Sequence, residues 1–333
     1  MTDARLLADA LARPGEVDLD EAGWTALLTM ARAEQLIGTL ADRMGGVPVP
    51  ERVAAVFADA RAGAEQARRS ALWEAEMARR ALAPLGVPVV LLKGTAFAAA
   101  GLSAGRGRAI GDLDVLVPRE ALGAVEAALL GAGWEWVKPD PYDDDYYRRW
   151  MHELPPLIHV ERDRMIDVHH TILPPTARPT PDARALIADA VPLGNGLSVL
   201  APADMIVHAA AHLFADGDLA GGLRNLWDVR CLVEEFGRGG LEERARLHDL
   251  RREVARALRL VRDLFETEVP GWVGAGRAFD SLYRRRLLAR DGWGRPIRPA
   301  TRGGFYVRSH WLRMPPHLLA RHLWIKWRRG ARA

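Results

Sequence analysis

The sequence predicts an α+β protein: a small mixed sheet with its own helices at residues 86–172, set between helical regions at 1–85 and 173–300, with a basic tail at 301–333. Three observations predict it. Apolar residues recur with a 3.6-residue period in both flanking regions. Short apolar runs bounded by turn residues cluster between them. A length of 333 residues suits more than one compact unit.

The N-terminal region reads as helices because Leu6, Leu7, Leu11, Trp24, Leu27, Leu28, Ala31, Leu36 and Leu40 keep the helical period. Gly45-Gly46, Pro48 and Pro50 interrupt it, and an Ala- and Arg-rich helical stretch then runs to about Leu85. At Gly86 the pattern changes. Val89–Leu92 is a wholly apolar run after a turn signal, which suits a buried strand. A small-residue helix follows at Ala96–Leu102, then a glycine-rich loop from Ser103 to Gly111. Leu113–Val117 reads as a second strand, and Pro118 opens a helix that Gly131-Ala132-Gly133 stops. Trp134–Val137, Leu157–Glu161 and Met165–Val168 read as three more strands, the last two joined by the turn at residues 162–164. The Tyr- and Asp-rich stretch 138–153 reads as a loop. From Pro202 onward Met205–Phe214, Leu223–Phe236, Leu241–Val269 and Ala278–Ala289 are predicted helices.

Composition narrows the function classes. With 49% hydrophobic and 27% charged residues, the chain is an ordinary globular protein rather than a disordered or fibrous one. No apolar run reaches the length of a membrane span and the N-terminus lacks a signal-peptide core, so a cytoplasmic location is expected, with attachment at the membrane periphery as an option for the tail. Cys231, the single cysteine, excludes a disulfide framework and a Cys-rich zinc site. The net charge of +3 conceals an uneven distribution: residues 301–333 carry eight basic side chains and no acidic one, which leaves the first 300 residues at −5.

The chemistry-bearing residues lie in the central region. Asp112 and Asp114 flank one residue of a predicted strand, so both carboxylates face the same side. Carboxylates held together repel unless a cation neutralises them, and oxygen donors of this kind suit Mg²⁺ or Mn²⁺. Alone, an Asp-x-Asp reads more simply as a solvated strand end. Here it has company. Lys93-Gly94-Thr95 stands where a strand turns into a helix, a position at which backbone N–H groups cradle phosphate. Asp167, on a later strand, is placed to add a third carboxylate.

Leu91-Leu92-Lys93-Gly94-Thr95-Ala96, the run from Arg108 to Val117 containing Gly111-Asp112-Leu113-Asp114, and Ile166-Asp167-Val168-His169 together resemble the nucleotidyltransferases of the polymerase-β type. More narrowly, they are similar to a bacterial nucleotidyltransferase-like family with Leu-Lys-Gly, an Arg four residues before Asp-x-Asp, and an Asp-x-His strand. The resemblance covers about residues 86–172, with a looser likeness in the helical flanks. It implies a polymerase-β-like nucleotidyltransferase core that moves a nucleoside monophosphate from a nucleoside triphosphate, ATP among the candidates, to an acceptor whose identity the sequence leaves open. It implies further that Asp112 and Asp114 bind two Mg²⁺ (or Mn²⁺) ions and that Asp167 binds the ion activating the acceptor and is a candidate for taking its proton. Gly94 and Thr95 would hold the β,γ-phosphates, and Lys93 and Arg108 would neutralise the triphosphate. Thr95 stands where the family has Ser or Gly, and sixteen residues separate it from Asp112. A non-catalytic nucleotide-binding or interaction module, recruited through the basic tail, is the alternative; the complete carboxylate trio favours the enzyme.

Other motifs are weaker. His208 and His212 have the i, i+4 spacing of zinc ligands but lack the glutamate of His-Glu-x-x-His, and read as core or cleft histidines. His169 is expected to point away from Asp167 and to pack or hydrogen-bond in the core. The resemblance makes His212 and Asp228 secondary cleft candidates. The glycines of 101–111 spell neither a dinucleotide fingerprint nor a P-loop. In the tail, residues 305–333 interleave Trp311, Leu319, Leu323, Trp324 and Trp327 with arginines, with a helix expected from Pro315-Pro316. This reads first as a helix docked on the body and second as a contact for an anionic membrane surface or a protein partner; the acidic body makes nucleic acid an unfavoured partner.

Overall fold

Among the described residues, seven short strands form one mixed sheet, in the spatial order Trp134–Trp136, Leu157–His159, Met165–His169, Leu113–Leu116, Val90–Leu91, Ser198–Val199, Val191–Pro192. The computed structural model describes residues 3–137, 147–313 and 324. The first four helices, α1 (Arg5–Ala12), α2 (Glu21–Ala33), α3 (Ile37–Arg43) and α4 (Glu51–Leu82), precede the sheet. Then come β1 (Val90–Leu91), α5 (Lys93–Ala99), β2 (Leu113–Leu116), α6 (Leu122–Gly131), β3 (Trp134–Trp136), β4 (Leu157–His159) and β5 (Met165–His169). The chain is therefore α+β with a mixed sheet, as its hydrophobic patterning requires.

The centre of the sheet is built from residues that repay burial on both faces. β1 and β2 are antiparallel, with Leu91 opposite Val115, and all four residues of β2 are buried. β2 and β5 are parallel, pairing Asp114 with Asp167 and Leu116 with His169. β5 and β4 form the hairpin expected around residues 162–164, where Asp163 takes a left-handed φ of 52°.

The region after residue 172 departs from the sequence reading. After α7 (Ala183–Ala188), a hairpin of β6 (Val191–Pro192) and β7 (Ser198–Val199) adds to the free side of β1, so the sheet runs past residue 172. Two-residue strands, one ending in proline, carry no alternation to read. The helix expected over Leu241–Val269 is two: α10 (Leu241–Leu247) and α11 (Arg251–Phe265), which follow α8 (Pro202–Ala211) and α9 (Gly222–Phe236). The break falls at Asp249, which has φ +55°, beside His248, which is buried against Asp204. The last described helices are α12 (Asp280–Leu287) and α13 (Pro299–Arg313). α13 docks through Phe305 edge-on to Tyr283 at 5.0 Å and Arg308 bonding the Phe214 carbonyl, whereas Trp311 stays exposed. The helix expected from Pro315 lies outside the described residues, as does most of the loop at 138–153.

The helical flanks are tied to the glycine-rich loop. Gly107 has φ +63°, and a Cβ there would overlap the carbonyl of Gly38 on α3. Glycine at both positions lets two backbones touch. Arg224 on α9 bonds Thr39 Oγ1 and the Ala104 carbonyl, clamping α3, the loop and α9 together. Among the described residues, no helix is long and apolar enough to cross a membrane.

Candidate active site

The pairing of β2 with β5 decides the geometry of the acidic residues. Residues opposite each other on adjacent strands project to the same face, so Asp114 and Asp167 stand side by side. Asp112, two residues before Asp114, shares that face. One carboxylate oxygen from each of Asp112, Asp114 and Asp167 lies within 4.8 Å of the others. Burial is graded across the trio: Asp112 is exposed, Asp167 half-buried and Asp114 only 3% exposed.

These neighbours polarise the pair in opposite directions. Burial pushes the Asp114 carboxyl up, but Lys93 Nζ at 2.6 Å and His169 Nε2 at 2.9 Å from its Oδ1 outweigh that and hold it well below the ordinary carboxylate range. Both contacts fall on Oδ1, so neither takes Oδ2. Among the described residues, no side chain donates to Asp167 in this way. Burial, followed by the charges of Asp114 and Asp112, pushes it up to about 7. Lys93 loses by its own burial, but the Asp114 carboxylate more than compensates and its ammonium is held above the ordinary lysine value.

Lys93 reaches Asp114 because of its backbone. Leu92 is extended, and Lys93, the first residue of α5, has φ +50°. That conformation costs a non-glycine residue on the order of 1 kcal/mol and turns the chain from strand to helix in one step. The positive φ thus falls on the lysine and not on Gly94. Glycine at 94 leaves room for Arg108: a Cβ would come within 2.6 Å of its Nε, and the arginine would have to shift. Thr95 is 1% exposed, and its buried Oγ1 has no hydrogen-bond partner among the described residues.

Arg108 is drawn inward. It forms an ion pair with Asp228 on α9, and its guanidinium carbon lies 5.7 Å from the centre of the Phe97 ring. Asp228 is shared with Arg224. Lys93, Arg108, Asp228, His208 and His212 line one small cavity of about 20 Å³ beside the carboxylates. Burial, then the Lys93 ammonium, pushes the His208 imidazole well below its ordinary value, which leaves it neutral.

His169 corrects an expectation. Residues 167 and 169 are two apart on a strand, so they share a face, and His169 bonds Asp114 directly. The period-two rule that paired Asp112 with Asp114 was the signal that would have found it. Nothing local signalled Asp228, which meets Arg108 across 120 residues of chain.

A mixed sheet that presents three carboxylates from neighbouring strands, with a lysine at an adjacent strand-to-helix turn, places the chain in the nucleotidyltransferase class. The family described as "Uncharacterised nucleotidyltransferase" matches residues 20–266 of the 333, and the chain belongs to that family. The match takes in α2–α4 and runs to the end of α11, well outside 86–172. That extent takes in Gly38, Thr39 and Arg224, which hold the glycine-rich loop against α3 and α9. None of the curated proteins matches the chain.

Proposed function

We propose that the protein is a Mg²⁺-dependent nucleotidyltransferase that moves a nucleoside monophosphate from a nucleoside triphosphate to an acceptor of a small-molecule, peptide or protein kind. The observation that carries this reading is the convergence of Asp112, Asp114 and Asp167 from two parallel strands. The donor set fits the ion: all three donors are hard carboxylate oxygens, and burial together with the charges of Asp114 and Asp112 opposes ionisation of Asp167, an opposition that a bound cation would relieve. Mn²⁺ fits the same donors. Bound there, the metal would supply charge neutralisation of the attacking and leaving oxygens in an in-line displacement.

The chain's own residues have separable tasks in this reading. Asp112 and Asp114 would hold two ions, and Asp167 would bind the one that activates the acceptor and take the acceptor's proton as the acceptor oxygen bonds to the α-phosphorus. The bond from that phosphorus to the bridging oxygen breaks, and pyrophosphate leaves. Lys93 neutralises Asp114 in the resting protein and is placed to follow the triphosphate. Gly94 and Thr95 offer backbone N–H groups at the start of α5, and Arg108, steadied by Asp228, adds positive charge behind them. The tail at 305–333 is assigned to a membrane surface or protein partner, and the protein to the cytoplasm.

Incubation with Mg²⁺ and each α-labelled nucleoside triphosphate, with and without cell extract, tests the reading. Pyrophosphate release and label transfer are expected, both lost in Asp112→Asn. Tight nucleotide binding with no transfer to any acceptor, unaffected by that substitution, would instead identify a binding module.

A further inference from the structure

A second group of ligand-bearing side chains lies behind the carboxylate trio. His152, Glu153 and His169 each place one donor atom within 4.8 Å of the other two. His169 Nδ1 is 3.4 Å and His152 Nε2 is 3.8 Å from the same oxygen, Glu153 Oε2. Both separations exceed those of ordinary N–H···O bonds, about 2.7–3.2 Å. The shorter matches the ligand-to-ligand edge of a four-coordinate zinc-type ion, roughly 3.3–3.4 Å for bonds near 2.0–2.1 Å, and the longer exceeds it by a few tenths of an ångström.

The other nitrogen of His169 strengthens the case. Nε2 faces Asp114 Oδ1 at 2.9 Å, and an ionised carboxylate only accepts. The ring's other nitrogen, Nδ1, faces a second carboxylate, that of Glu153. A metal ion at that point satisfies Nδ1, Glu153 and His152 together, and Asp114 becomes the carboxylate that orients a ligating histidine from behind. The backbone holds the ligands in register: Glu153 bridges His169 in antiparallel fashion, Leu154 N–H donates to the Val168 carbonyl, and His170 N–H donates to the His152 carbonyl.

We propose that His152, Glu153 and His169 form a site for a borderline divalent transition metal of the Zn²⁺ type, distinct from the hard-oxygen site of Asp112, Asp114 and Asp167. Two imidazoles and one carboxylate suit zinc, whereas the oxygen trio suits Mg²⁺. The ion would pin residues 152–154 to the end of β5 and fix the ring that steadies Asp114. The inference stands whether or not the trio carries out nucleotidyl transfer.

The full-length protein, stripped with chelator and held in excess Mg²⁺ to saturate the trio, is titrated calorimetrically with Zn²⁺. Co²⁺ is then added as a spectroscopic probe. One equivalent of Zn²⁺ and intense visible Co²⁺ bands of low coordination number are expected. Binding should weaken at least tenfold in His152→Asn and in Glu153→Gln, and persist in the double variant Asp112→Asn/Asp167→Asn. Circular dichroism shows whether each variant keeps its fold, and Glu153→Gln provides the comparison if His152→Asn does not. Absence of Zn²⁺ binding to the wild type would overturn the proposal and leave an imidazolium between two carboxylates. Binding lost in the trio variant but kept in folded His152→Asn or Glu153→Gln would overturn it equally.

Discussion

Replacing Asp167 by Asn should stabilise the metal-free protein, and the gain should grow with pH. The side chain keeps its shape and loses a charge that burial and two neighbouring carboxylates oppose. A carboxyl raised from 3.8 to about 7 in the folded protein represents about 4 kcal/mol of unfavourable interaction once ionised. The direction follows from proton binding. Between pH 4 and 7 the folded chain retains a proton that the unfolded chain has released, so wild-type stability falls as pH rises through that window and levels off above it. The neutral Asn variant lacks this loss. Its advantage should be about 1.5 kcal/mol at pH 5 and about 4 kcal/mol at pH 8. For a chain of this length, 4 kcal/mol corresponds to a Tm difference of about 6 °C. Urea and thermal unfolding at pH 5, 6, 7 and 8, with chelator and then with Mg²⁺, measure it. Mg²⁺ should raise the wild-type Tm and narrow the gap. A variant no more stable than wild type at pH 8 in chelator, or a difference independent of pH, would refute the electrostatic account of the trio.

Three further outcomes follow from the same geometry. Lys93→Met keeps the aliphatic stem but leaves buried Asp114 without its ammonium; a loss of about 3 kcal/mol in urea unfolding at pH 7.5 is expected, with weakened triphosphate binding in filter assays. Gly107→Ala forces a side chain into a left-handed position against the Gly38 carbonyl, and should cost about 3 kcal/mol or more, seen as a lower denaturation midpoint; an unchanged midpoint would show that α3 does not rest on the loop. Asp228→Asn removes the charge that holds Arg108 and Arg224 in a buried ion-pair network, and is expected to lower stability by about 3 kcal/mol and to weaken nucleotide binding; nucleotide affinity left intact would exclude Arg108 from the triphosphate site.

Much of the sheet was legible because strands buried on both faces read as short apolar runs: Val89–Leu92 and Leu113–Val117 announce β1 and β2 without help from the rest of the chain. The edge was not. β6 and β7 are two residues each, and their place beside β1 depends on backbone hydrogen bonds that no side-chain pattern encodes. The same distinction separates α10 from α11. The helical period runs through both, and only the burial of His248 against Asp204 explains why the chain turns at Asp249.

At the candidate site, strand alternation put Asp112 and Asp114 on one face, and the motifs around them, with the resemblance they carry, nominated the pair together with Asp167. His169 was equally legible by that rule. Charge state was not, because it depends on what lies across the sheet: Asp114 is held ionised by Lys93 and His169, whereas Asp167, directly opposite it, is pushed toward its neutral form. Arg108 shows the same limit, for its partner Asp228 arrives from a helix 120 residues later. The residue types and their local periodicity were determined by the sequence alone. Which of these groups meet, and how each shifts the charge of the next, was decided by tertiary structure, because electrostatic interactions act through space and grow as water is excluded between the groups.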